Sequence, residues 1–154
     1  MAIRNVVQVG DEVLRKKSLP VENFDQKLWE FLDDMKDTLK KEEGAGLAAV
    51  QVGVLKRIFI IDYEDYFIEF INPTKIYESG TQYGVEGCLS VKGKWGKVTR
   101  PGRVVVEAQD RFGKKFKLTL KGFMAKCFCH EYDHLDGVLY IDKAQEIYED
   151  KKWE

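Results

Sequence analysis

The chain has 154 residues, of which 44% are hydrophobic and 33% charged, and a formal net charge of −1. That balance is ordinary for a soluble globular domain and excludes attachment to nucleic acid or an anionic membrane by bulk charge. No apolar run is long enough to span a membrane, the first residues lack a signal-peptide pattern, and three cysteines do not make a disulfide framework, so a reducing cytoplasmic setting is expected.

In chain order, residues 3–9 are apolar-rich and read as extended. Asp11 can cap a short helix through Lys17 with Val13 and Leu14 inward, and Pro20 follows the break. From Asn23 or Asp25 to about Glu43, Leu28, Phe31, Leu32, Met35 and Leu39 recur at spacings of three and four. This predicts an amphipathic helix packed outside the core. The segment Gly44 to Gly53 is made of small residues with one large polar side chain, Gln51. It reads first as a Gly/Ala loop under a sheet, though such a segment also lets a substrate come close.

Strand signals follow at Arg57–Asp62 and Tyr66–Asn72, with Pro73 as a strand end or edge, and again at Lys75–Tyr83. Gly84 to Ser90 leads into a basic, glycine-containing loop from Lys92 to Lys97. Arg103–Asp110 and Lys114–Leu120 flank Arg111-Phe112-Gly113 as a hairpin. A helix is predicted from Gly122 to a left-handed cap at Gly137. Beyond it the chain continues through Val138–Ile141 into a helix-like tail, Ala144 to Trp153, expected to fray. Strands grouped between helices predict an α+β fold with mainly antiparallel pairing, in a single domain spanning residues 1–154.

The chemistry is concentrated in His130-Glu131-Tyr132-Asp133-His134, which holds both histidines of the chain. On a helix, residues four apart share a face, so two imidazoles can hold one metal ion. Glu131 sits beside that ion and can take a proton from a water held there. Apolar residues on two faces of this helix place it near the centre of the domain.

A catalytic centre of this kind normally uses three protein ligands, so the third must be Cys, Asp or Glu. Glu146, Glu149 and Glu154 lie in a charged terminal segment with weak core signals, which makes a downstream carboxylate the poorer choice. Cys127 and Cys129 read as small buried hydrophobes. Cys88, in a turn after a strand, is by position alone as readily a structural residue as a ligand.

Three segments together resemble the peptide deformylases. Gly44-Ala45-Gly46-Leu47-Ala48-Ala49-Val50-Gln51 is similar to the family's G-x-G-L-A-A-x-Q, Glu86 to Ser90 to E-G-C-L-S, and His130 to His134 to H-E-x-D-H. The similarity runs from about Ile3 to Ile141 and includes Asp11, Leu14 and Arg15. The resemblance implies antiparallel sheets around the motif-bearing helix, and removal of the formyl group from N-formylmethionyl peptides with release of formate. It assigns Cys88, His130 and His134 to the metal, Fe(II) physiologically with zinc, nickel or cobalt as substitutes. Glu131 would be the acid/base, and Gln51 and the Leu89 N–H would stabilise the oxyanion. Glu86 would pair with Arg100 to fix the Cys88 loop. A peptide would lie extended against Gly46 and the segment Gly84, Val85 and Glu86, with its methionine side chain among Gly84, Phe123, Lys126 and Cys127.

The sequence departs from the family at three places. Lys126 replaces an aliphatic residue and should find a carboxylate or snorkel to the pocket mouth, narrowing or polarising part of the pocket. Cys129 stands for glutamine before the first histidine, which bears on hydrogen bonding around the ligands. Lys92 replaces a proline, leaving the Lys92–Lys97 loop as a solvated basic segment that would at most touch substrate or ribosome. Two other functions fit the bare motif: a general metallopeptidase, and a closed structural metal module in which Glu131 would have no task.

Overall fold

A computed structural model describes residues 2–149 of the chain. A 3-10 turn at Glu12–Arg15 opens the ordered structure, with Asp11 accepting a hydrogen bond from the Val13 N–H at 3.1 Å and Leu14 buried. Helix α1 spans Gln26–Glu42 and is capped by the Asp25 carboxylate on the Leu28 N–H. Strand β1, Gly46–Ala48, leads directly into a second 3-10 turn, Ala49–Val52. Then come β2 (Ile58–Tyr63), β3 (Tyr66–Ser79), β4 (Gln82–Cys88), β5 (Val91–Arg100), β6 (Arg103–Gln109) and β7 (Lys115–Lys121). Helix α2 spans Gly122–His134, α3 spans Tyr140–Lys143, and β8 spans Glu146–Glu149.

Every strand pairing is antiparallel, in one sheet of order β1-β2-β3-β6-β7 and another of order β4-β5-β8. The alternation of β2 explains how the larger sheet holds a helix on each face. Phe59 and Ile61 point to α2, where Phe59, Phe70 and Phe128 meet with ring centroids 5.0 to 5.3 Å apart. Ile58 and Ile60 point the other way, onto Leu28, Leu32, Met35 and Leu39 of α1. Each such side chain is worth about 1.5–3 kcal/mol when fully buried, so the two faces together anchor α2 at the centre. A third cluster, Leu14, Val91, Val98, Leu139 and Tyr140, fastens the smaller sheet.

Three expectations from the sequence give way, and a fourth holds in part. The Gly/Ala segment is a short edge strand and a 3-10 turn, because β2 offers its unpaired side to residues 46–48. Pro73 does not end its strand, since β3 runs through it, but it stands where β3 becomes an edge: pairing with β2 stops at Ile71, and a register shift against β6 between Ile71 and Thr74 leaves no ladder N–H for the proline to supply. Residues 92–97 are strand, not loop. Val91, Gly96 and Val98 of β5 are buried while the lysines face outward, and pairing on both sides outweighs the basic composition. The tail forms β8, not a helix. Tyr148 stacks on Trp95 with centroids 4.3 Å apart, Glu146 lies opposite Lys97, and residues 150–153 of that expectation lie outside the described residues.

Residues 3–9 stay out of both sheets, although Val7 and Val9 donate backbone hydrogen bonds to Gln51 and Ser90. The helix α2 ends at His134, and Gly137 takes the left-handed conformation just beyond, at φ +75°. A Cβ there would run into the Arg15 carbonyl, so the position is glycine for packing as well as for backbone freedom. Among the described residues no helix is long and apolar enough to cross a membrane.

Candidate active site

Helix α2 brings His130 and His134 onto one face, and the last residue of β4 brings Cys88 to meet them. One donor atom from each lies within 4.8 Å of the others, with the His134 Nε2 3.4 Å from the Cys88 Sγ. The orientation of His130 is set from behind. Its Nδ1 shares a hydrogen bond of 2.8 Å with Glu86 Oε1, which leaves Nε2 facing the cluster.

Glu86 is itself held by Arg100 through two parallel bonds of 2.8 and 2.9 Å. Burial alone would push its carboxyl up, but the hydrogen bonds from Arg100 and His130 outweigh that and hold it down at about 2. Arg100 reaches further to Asp133 Oδ2 at 2.7 Å, and Lys143 also bonds Asp133. The chain Asp133–Arg100–Glu86–His130 therefore ties β4, β5 and α2 together behind the cluster. Burial pushes His134 well below the ordinary imidazole range and leaves it neutral, the form in which it binds a cation.

Glu131 is almost wholly buried, and one carboxylate oxygen, Oε1, has no hydrogen-bond partner among the described residues. Its other oxygen lies 3.9 Å from His130 Nε2. Burial pushes its carboxyl up to about 7, against the pull of His130. A cation beside it would draw that value back down. Gly46 makes this placement possible, since a Cβ there would come within 2.6 Å of Glu131 Oε2.

Gln51 is buried to within 1% and pinned at both ends of its amide. Its Oε1 accepts from the Ala48 N–H at 2.9 Å, and its Nε2 points to Ser90 Oγ at 3.1 Å and Cys88 Sγ at 3.5 Å. Leu89 sits in the two-residue turn between β4 and β5. Its carbonyl accepts from Gln8, while its N–H donates to no backbone or side-chain group among the described residues.

These groups form the floor of a cleft of about 310 Å³. Gly44, Ala45 and Gly46 line one side, and Val85, Glu86 and Gly87 the other, with Phe123, Lys126 and Cys127 from α2 between. Gly84 is the expected site residue the structure leaves out. The cleft stops at Val85, and a Cβ on Gly84 would meet nothing, so no close approach calls for glycine there. Cys127 and Cys129 are buried thiols whose pKa burial pushes up to about 12 and 11, and neither is among the donors that meet at the cluster. Among the described residues Lys126 pairs with no carboxylate: its Nζ bonds the Val85 carbonyl at 2.9 Å and lies 4.9 Å above the Phe123 ring.

Three contributors escaped the sequence reading: Ser90, which holds the Gln51 amide; Asp133, which extends the Arg100 network; and Tyr140, stacked 5.9 Å from His130. The first two stand inside the motifs, as the only unassigned small polar side chains flanking a ligand. Tyr140 is signalled by nothing local.

The donors suit a metal. A thiolate with two imidazoles, one oriented by a carboxylate, is a set that takes a divalent transition ion and leaves a position open. The polypeptide deformylase family model matches residues 3–150. The chain belongs to the peptide deformylase family. A deformylase of Caldicellulosiruptor bescii is 54% identical over 144 residues, covering 94% of this chain and 87% of the relative. Peptide deformylase 2 of Clostridium acetobutylicum is 50% identical over 147 residues, covering 95% and 98%. Among solved structures, the deformylase of Thermotoga maritima matches with a TM-score of 0.92 at 36% identity, over 94% of this chain and 99% of that one. That of Legionella pneumophila matches at 0.91 and 42%, over 94% and 87%. The chain is thus a peptide deformylase, a hydrolase that removes the formyl group from nascent peptides, and Cys88, His130 and His134 are its metal site.

Proposed function

We propose that this deformylase acts on N-formylmethionyl chains through Glu131 as acid and base, with Gln51 and the Leu89 N–H as oxyanion donors and Fe(II) as the physiological ion. The observation that carries the reading is the Glu131 carboxylate, buried and half unpaired beside the Cys-His-His cluster on the floor of an open cleft. Neither of the other readings uses that combination. A closed structural site needs no such carboxylate, and a general peptidase does not need cysteine as its third ligand.

A bound metal supplies a Lewis acid that polarises the formyl oxygen and makes water a stronger nucleophile. Zinc, nickel and cobalt suit the same donors, and Fe(II) is the ion the family points to. Glu131 takes the proton that water loses as its oxygen bonds to the formyl carbon. It returns a proton to the amine nitrogen as the C–N bond breaks and formate leaves. Gln51 Nε2 and the Leu89 N–H donate to the carbonyl oxygen as negative charge gathers there, and the Gln51 amide is fixed in advance of the reaction. Glu86 and Arg100 position His130 and the Cys88 turn.

The peptide backbone lies between the unpaired edges of β1 and β4, with Gly46 on one side and Val85 on the other, and the methionine side chain rests against Phe123, Lys126 and Cys127. The whole chain serves as one catalytic domain, in the cytoplasm, where Cys88 stays reduced. A transient contact with the ribosome would use the outward lysines Lys92 and Lys94 of β5.

The test is formate release from formyl-Met-Ala-Ser by anaerobically prepared, Fe(II)-loaded protein. Glu131→Gln should keep its metal and lose about 10²–10⁴-fold in rate, and Cys88→Ala should lose the metal. Internal peptide cleavage without formate would overturn the reading.

A further inference from the structure

Among the described residues each sheet ends at the cleft in a strand with one partner: β1 pairs with β2, and β4 with β5. On β4 the Val85 carbonyl points away from β5, because Lys126 Nζ of α2 bonds it at 2.9 Å. A register shift against β5 lies between Glu86 and Cys88, and Gly87 within it lines the cleft together with Val85. The Val85 carbonyl is already taken.

A peptide whose formyl group sits by Cys88 and Glu131 must leave along this edge, past Gly87 first and then Val85. Two residues of extended chain advance ~6.8 Å, and the helical turn from His130 back to Lys126 covers ~6 Å. The two elements run in step, as the contact between Lys126 and Val85 shows. Side chains of residues one and three of a strand share a face. The face that seats the methionine is formed by Phe123, Lys126 and Cys127, so the third side chain is directed at Lys126.

The ammonium there is in surplus. Of its three N–H donors one serves Val85, the ring of Phe123 lies beneath it, and none of the ion pairs among the described residues includes it. Of the two carboxylates that line the cleft among the described residues, Glu86 is committed to Arg100 and His130, and Glu131 lies by the Cys-His-His cluster.

We infer that Lys126 is a specificity residue that favours an acidic side chain at the third position of the formyl peptide. The inference rests on the deformylase reading and narrows its substrate class. Its test uses formyl-Met-Ala-Xaa-Ala-amide with Xaa as Glu, Gln or Lys, the amide removing the charge of the peptide's own end. Comparing Glu with Gln inside each enzyme cancels any change in overall rate. In wild type the ratio of kcat/KM for Glu over Gln should be about three- to fivefold, as for a partly exposed ion pair. It should be carried by KM, shrink in high salt, and be inverted for Lys. Lys126→Arg should keep it, and Lys126→Met should bring it to unity. An equal ratio in wild type and Lys126→Met overturns the inference, as does a preference that appears when Glu is moved to the second position. Absence of formate from every peptide with wild type would instead overturn the deformylase reading.

Discussion

Replacing Gly46 by alanine adds one methyl group at the point where β1 passes the carboxylate of Glu131, the proposed acid and base. The new Cβ would lie 2.6 Å from Glu131 Oε2 and 3.0 Å from its Cδ. Ordinary contact begins near 3.4 Å, so the carboxylate has to retreat by about 0.8 Å or push β1 outward. β1 is held to β2 through Gly46, Leu47 and Ala48, and Leu47 and Ala48 are fully buried, so the carboxylate is the part that yields. A displacement near 1 Å of a catalytic group costs about 100-fold. The expected loss in kcat/KM is therefore about 10- to 100-fold, without loss of metal and with little change in melting temperature. The measurement is steady-state formate release alongside metal content and thermal unfolding. Wild-type activity would refute the reasoning, and so would a loss that tracked metal release or unfolding, since the effect would then not run through Glu131.

Arg100→Met leaves the buried Glu86 without its guanidinium and Asp133 with Lys143 alone, and breaking a buried pair on one side costs about 3–5 kcal/mol; denaturant unfolding should show it, and a change below 1 kcal/mol would contradict the pairing. Gly137→Ala combines a left-handed backbone with a clash on the Arg15 carbonyl, so the melting temperature should fall by several degrees for a loss of about 1–3 kcal/mol, which calorimetry would detect. Glu86 has a folded pKa held near 2, below its ordinary 4.5. Its contribution to stability is therefore complete above about 4.5 and lost as the pH falls toward 2. Metal-free wild type should lose stability across that window more steeply than metal-free Glu86→Gln, and parallel curves would show that another group governs the acid limb.

The sequence makes the helices and the chemical groups legible because their signals are local. The three-and-four spacing of Leu28 to Leu39 is enough for α1, and His130 and His134 four apart are enough for one face of α2. What it leaves illegible is decided by partners far along the chain. Lys92 to Lys97 reads as a solvated loop until β4 and β8 take its two edges. The tail reads as helix until Trp95 gives Tyr148 something to stack on. The same holds within the site. Cys88 is one cysteine among three until β4 carries it to the histidines, and Lys126 on α2 has no visible partner until β4 brings the Val85 carbonyl to it. Tyr140 reaches His130 only through the turn after α2.

The cleft lies between two strand edges that belong to different sheets. In the proposed binding mode an extended peptide completes both, as a shared last strand, so bound substrate would become a structural member joining one half of the enzyme to the other. Ligands with an intact backbone should therefore stiffen β1 and β4 together, slowing amide exchange in both, whereas a formylated amino acid with no chain beyond it would protect neither. Main-chain groups are common to every chain whatever follows the methionine, so they set the shared affinity for the beginnings of many different proteins and leave a side-chain contact such as that of Lys126 only to grade among them.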